Sequence, residues 1–511
     1  MSDPPSPAGL PDGAAVRRWA RRQSRKEPVG TWKILDRIYT VLISVLVGGA
    51  LVAHQLSTLS ALGERRRLDL SLDPAWMAVS VVAAVAVCAI RPLMRLGPVC
   101  LRPHEATWWL ALPVERVGLL RPVALVLIAL AACAGALIGL VVSALGAAGW
   151  GGALAWGAAM AAGAALLVIT LIGAQVEGRT RRAPELVTAS AAGLALVGAV
   201  ALPFPTSAAA HAVTGAVGAA MALAAVAAWR RHGPRLGEVH DAVLVEVSLR
   251  AHSARVSSQS LDTRALGRLL SPEPRLPGRP CSLPLAAVGA VLPRPFAVAL
   301  AVAQADLLVL ARQPQRWWRL VLSAIIALGL QLVPGAGALA MAGAHVVGVW
   351  LAVLTVAEPA RRAWFDPGPE EQLPGGSTAL SAGHLLVPTA LMSAWSLVVA
   401  LPQLLGPSDA RTGLVLATMI LAGLGWGGAA LRAGMRPMPD FFEPPMPSPV
   451  GPVAPWLGQA VVAGYDAAVL CAAPTALLAA GVTPSWLLLG LQAVLTALVI
   501  AWGMSDGSLE R

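Results

Sequence analysis

Apolar runs of about twenty residues recur along the chain, and no other feature constrains its fold as strongly. A helix rises about 1.5 Å per residue, so roughly twenty apolar residues cross a bilayer core about 30 Å thick. Backbone groups in hydrocarbon must pair within their own segment, which makes each such run a helix. Windows of that size fall near residues 36–56, 75–93, 122–145, 150–174, 186–204, 208–228, 318–334, 337–357, 382–404, 412–431, 457–480 and 485–504. Composition agrees: 13% of the 511 residues are charged, against about 25% in soluble domains. The expected fold is all-α, a multi-pass protein of the cell membrane with about 12 transmembrane helices.

Charge sets the expected orientation. With the N-terminus inside, the outer turns hold only Arg65, Arg66, Arg67 and Arg411, and the other 34 cations lie inside. That is the asymmetry of the positive-inside rule, and it places both termini in the cytoplasm. The polar, basic N-terminus is too long for the charged region of a cleaved signal peptide.

The windows divide into two sets of six. Residues 1–33 read as a basic tail, 34–229 as the first six-helix half, 230–316 as a cytoplasmic Pro-rich linker, 317–504 as the second half and 505–511 as a tail. "GLLRPVAL" from Gly118 and "HLLVPTAL" from His384 open the third and ninth windows, and "AVAAWRR" and "LVIAWGM" end the sixth and twelfth, so the halves read as pseudo-repeats. Within the linker, "LGEVHDAVLVEVSLRAHSARV" has an amphipathic helical pattern and "SPEPRLPGRPCSLP" cannot continue a helix. "FAVALAVAQADLLVLARQPQRWWR" reads as an interfacial helix with Trp317 and Trp318 at headgroup depth, or alternatively as one more buried span.

The motifs for chemistry are missing. The only lysines, Lys26 and Lys33, precede Glu27 and Ile34, so no Gly-Lys-Ser/Thr phosphate loop exists. Five cysteines lack metal or disulfide spacing. "HEATW" at His104 has Trp108 where a zinc protease would place its second histidine. His54, His211, His345 and His384 are dispersed and read as packing residues. No catalytic, cofactor or metal site is expected, and the arginine excess reads as codon usage rather than a nucleic-acid surface. Asp466, beside Tyr465, is the one acid well inside a window; it reads as an intramembrane polar site, either a relay or a hydrogen-bonded packing residue.

The polar interruption "LRPHEATWWLALPVERVGLLRP" lies between the second and third windows. Trp108 and Trp109 are interfacial residue types, and Pro113 is placed to start a short helix with Glu115 and Arg116 toward water. The pattern Leu112-Pro113-Val114-x-Arg116-x-x-Leu119-Leu120 resembles a loop element in permease subunits of type-2 bacterial ATP-binding-cassette exporters. The resemblance implies six spans per half, an interfacial helix before each first span, and a coupling helix that fits a cleft in a separate ATPase subunit. It therefore implies an ATPase partner besides the membrane lipids, no hydrolysis by this chain, and an undefined substrate. The second-half loop, "EPARRAWFDPGPEEQLPGGSTALSAGHLLVP", departs from the pattern: it lacks Leu-Pro-Val-x-Arg. An ion-coupled secondary carrier and a non-transporting membrane scaffold stand as the alternatives.

Overall fold

The computed structural model describes residues 12–24, 74–146, 149–178, 206–259, 269, 288–289, 291–333, 337–374, 376–405, 411–435 and 464–508. These fall into two compact units, the first holding the described residues up to 269 and the second those from 288. Every regular element among them is helical.

The first unit contains α1 (Gly13–Ser24), α2 (Pro74–Leu96), α3 (Pro103–Trp109), α4 (Arg116–Leu145), α5 (Gly149–Val176), α6 (Ala208–His232) and α7 (Asp241–Gln259), with a 3-10 turn at Pro234–Glu238. The second contains α8 (Arg294–Ala311), α9 (Pro314–Leu332), α10 (Ala338–Val356), α11 (Glu358–Phe365), α12 (Gly368–Glu371), α13 (Ser377–Leu404), α14 (Thr412–Gly434), α15 (Tyr465–Ala479) and α16 (Trp486–Ser508). The segment 230–316 supplies α7 to the first unit and α8 to the second.

Among the described residues nine helices are long and apolar enough to cross a membrane: α2, α4, α5, α6, α8, α10, α13, α14 and α16. This is the character of a multi-pass membrane protein. The windows at 36–56 and 186–204 lie outside the described residues, as does the start of the one at 457–480. Two further differences have physical causes. The run before residue 316 forms a helix, α8, that meets the length and hydropathy of a span, as the alternative reading of it has it, while α9, over the window at 318–334, does not. Pro314 ends the first and starts the second because it lacks an N–H, and Arg316 and Arg319 occupy the opening turns of α9.

Burial separates the helices by role. Only 17% of the most apolar window of α4 and 11% of that of α6 is buried inside the protein, although both are apolar on all faces. A helix of that kind has lipid as its solvent. By contrast α14 has 67% of its window buried and forms the centre of the second unit, where Trp426, Ala429 and Ala430 pack with Val353, Trp395, Cys471 and Val499.

The first unit buries a core at one end of its helices: Val99, Leu101, Leu120, Ile172, Leu236 and Leu244 meet there. Helix α7 adds to it through Leu244, Val247, Ser248 and Ala254, buried at intervals of three, four and seven residues. That end of the unit carries the α3–α4 connection.

Candidate functional site

The stretch that resembles a coupling element folds differently from the helix expected over Trp108 to Leu120. The helical start signal is ten residues earlier. Pro103 takes the first helical position, and the Glu105 carboxylate accepts the Arg102 backbone N–H at 3.1 Å, capping α3. Helix α3 ends at Trp109, residues 110–115 form a turn, and Arg116 begins the long helix α4. Pro113 lies in that turn because a residue preceding proline, here Leu112, is pushed out of the helical region.

Seen residue by residue, the stretch has a front and a back. Trp108 is 73% exposed and Leu112 44% exposed, with Pro113 and Glu115 also exposed and Trp109 half-buried. Val114, Leu119 and Leu120 are buried. Arg116, expected to point to water, keeps its side chain 37% exposed and also pairs with Asp241 at the first residue of α7, Nη2 to Oδ2 2.8 Å.

Helix α1 backs the turn. Its Arg17 guanidinium donates to the Leu119 carbonyl and lies 5.7 Å from the centroid of the Trp109 ring, within cation–π range. The approach is close enough that a Cβ on Gly118 would come within 2.5 Å of the Ala14 nitrogen, so glycine is required there. Behind α3, the Gln175 side chain exchanges two hydrogen bonds with the Val99 backbone, at 2.9 and 3.0 Å. The exposed Trp108–Pro113 knob therefore stands on a fixed base.

The corresponding loop of the second unit is held by charge. Glu358, 6% exposed, sits among Arg316 at 3.0 Å, Arg362 at 3.1 Å and Arg361 at 3.3 Å. Arg316, itself 4% exposed, also donates to the Thr355 carbonyl at 3.2 Å and to the Gln313 side chain. Burial alone would raise the Glu358 pKa, but the three guanidiniums outweigh it and hold the carboxyl below its ordinary range.

A second buried cluster follows. His384 Nδ1 lies 2.7 Å from Asp306 Oδ2 of α8, and Nε2 lies 2.6 Å from Glu370 Oε1 of α12. A neutral imidazole has one N–H, so two short contacts to carboxylates require either an imidazolium or a protonated carboxyl. In both cases the three groups share two protons and one net negative charge. Sequence reasoning missed this cluster: it placed Asp306 on an interfacial helix and took His384 as a lone packing residue. No local pattern links residues 78 and 14 positions apart.

Asp466 is in the first turn of α15, not deep within a helix. Gly464, at φ 89°, has the left-handed backbone that starts the helix there. Asp466 accepts the backbone N–H groups of Gly464 and Ala467 at 2.8 and 2.7 Å and pairs with Arg432 at 3.1 Å. Arg432 stacks over Trp502 at 3.7 Å. The neighbouring Tyr465 packs edge-on against Trp350. These contacts place Asp466 at a helix start, tied to Arg432. His345 likewise packs among aromatics, near Trp395 and Trp426, with Nε2 2.9 Å from the Thr475 hydroxyl.

No group of three or more histidine, cysteine, aspartate or glutamate side chains among the described residues is arranged to hold a metal ion. No curated protein and no solved structure matches the chain. One family model covers most of it, from before α2 to beyond α14. The chain belongs to the DUF6297 family, a family of unknown function whose model matches residues 66–444.

Proposed function

We propose that the chain is the membrane-spanning permease of an ATP-driven exporter in the cell membrane, worked by a separate cytoplasmic ATPase that docks on the α3–α4 turn. The observation that carries this reading is the Trp108–Pro113 knob: exposed apolar side chains at the end of two candidate spans, braced by Arg17 and by the Arg116–Asp241 pair. A force applied there enters α4 at its first residue. No step of ATP hydrolysis is assigned to this chain.

Twelve spans in two pseudo-repeated halves belong to the same proposal. In support, each unit has a candidate span, then one short helix in the first unit and two in the second, and then a long helix with an internal proline, Pro122 in α4 and Pro388 in α13. At matching positions of "GLLRPVAL" and "HLLVPTAL", Gly118 meets α1 and His384 meets α8. In this reading the second-half loop is closed on itself by Glu358 and Glu370, and one half docks by the knob while the other does not.

The test is co-purification of the tagged full chain with an ATPase, followed by Trp108→Asp and Leu112→Asp. The expected result is loss of ATPase stimulation with unchanged melting. An ATPase that binds and turns over equally with the variants, or no ATPase at all, removes the reading.

A second reading, an ion-coupled carrier, draws on Asp306, His384 and Glu370, a buried cluster whose three groups share two protons. Uptake or efflux in proteoliposomes driven by a proton gradient with no ATPase, and abolished by Asp306→Asn, would put it first. Gradient-independent behaviour would discard it.

A further inference from the structure

The first unit contains a cleft of about 1260 Å³ at its α3 end, and its walls are of two kinds. One wall is basic: Arg17 of α1, Arg102 and His104 at α3, and His252 and Arg255 of α7 line it, against the single acid Glu105. The Glu105 carboxylate is already turned to the Arg102 backbone. Arg102 and Arg255 are exposed, and neither has an ion-pair partner among the described residues. The other wall is apolar, formed by Pro122, Val123 and Val126 on the second and third turns of α4.

That apolar wall does not stop at the cleft. Val126, Leu130, Leu137 and Val141 are all exposed, and their spacing puts them on one face of α4. They form a continuous track about 22 Å long at the helical rise. The volume also exceeds the roughly 300–1,000 Å³ of ordinary small-molecule pockets.

We infer that this cleft is a binding site for an anionic phospholipid, its phosphate held by Arg102 and Arg255 and an acyl chain laid along the exposed face of α4. Charge complementarity selects an anionic headgroup, because the Arg102 and Arg255 guanidiniums face one capped carboxylate. The apolar track selects a lipid over a free anion, which would leave it unused. The inference rests on α4 crossing a bilayer and is independent of any ATPase partner.

The experiment uses the full-length protein in detergent, with native mass spectrometry of retained phosphatidylglycerol and phosphatidylcholine. Wild type is expected to retain phosphatidylglycerol preferentially. Arg102→Gln and Arg255→Gln are expected to lower that retention about fivefold each, with the melting temperature unchanged because both side chains are exposed. Val126→Ser with Leu130→Ser is expected to weaken long-chain phosphatidylglycerol and leave its short-chain analogue unaffected. Equal retention of the two lipids, or unchanged retention in the arginine variants, overturns the assignment. Displacement of phosphatidylglycerol by millimolar inorganic phosphate also overturns it, since the headgroup alone would then account for binding. Variants of the Trp108 knob leave all these outcomes in place, so this site and the docking reading fail separately.

Discussion

Replacing Glu358 by glutamine keeps the shape of the side chain and removes the charge that three arginines surround. The cost follows from burial. Arg316 is 4% exposed, and Glu358 is its acidic partner at 3.0 Å. Removing one member of a buried pair costs about 3–5 kcal/mol, mostly from the uncompensated charge left behind. Arg361 and Arg362 are more exposed and recover hydration, so they add little. For a unit of this size each kcal/mol corresponds to about 2–4 °C in melting temperature, so Glu358→Gln is expected to melt about 6–20 °C below wild type. Tryptophan fluorescence on the detergent-solubilised full chain reads the transition. Substituting both partners, Arg316→Met with Glu358→Leu, is expected to recover most of the loss, because no buried charge remains. The pH dependence has a fixed sign. The folded carboxyl titrates below its unfolded value, so its contribution is complete above the unfolded pKa, about 4.3, and is lost as pH falls through the folded one. In Glu358→Gln that acid-limb loss should shrink. A variant that melts within about 2 °C of wild type, or an acid limb that is unchanged, refutes the reasoning.

Asp466→Asn is expected to cost about 1–2 kcal/mol, the loss of a carboxylate at a helix start, and to leave any transport rate intact; a larger effect on transport than on melting would return Asp466 to a functional role. Gly118→Val should force α1 away from α4, since its Cβ would lie 2.5 Å from the Ala14 nitrogen, and proteolysis within residues 12–24 should become faster than in wild type. The Cys100 thiol, in the wall of the basic cleft, is pushed up by burial and further by Glu105. In a variant retaining only that cysteine, maleimide labelling should therefore be slow at neutral pH, rise steeply in alkali, and slow further when phosphatidylglycerol is added.

The helical class and the apolar runs are legible because a span must carry its own hydrophobicity and its own backbone pairing. Helix ends are less so. In the α3–α4 stretch two prolines compete as first-turn residues, each with a glutamate two residues on, and only Glu105 turns back to cap a helix; sequence reading gave the helix start to Pro113. Trp108 and Leu112 stand out in the sequence by type and place, and both are exposed. Their bracing does not stand out, since Arg17 and Asp241 reach the stretch from 102 and 125 residues away. The same limit hid His384: a histidine in an apolar run reads as packing until the fold brings Asp306 and Glu370 to its two nitrogens. At Asp466 the limit is the helix end, because a left-handed Gly464 starts the helix where hydropathy alone continues it.

The Arg116–Asp241 pair joins the first residues of two helices that leave the turn by different routes, α4 along the apolar bundle and α7 along the basic cleft. The turn is thus anchored twice where its chain becomes helix, once on each route. Arg255 lies fourteen residues further along the α7 rod, and Val126 ten residues along α4. The base of the knob and two walls of the cleft share one point of attachment.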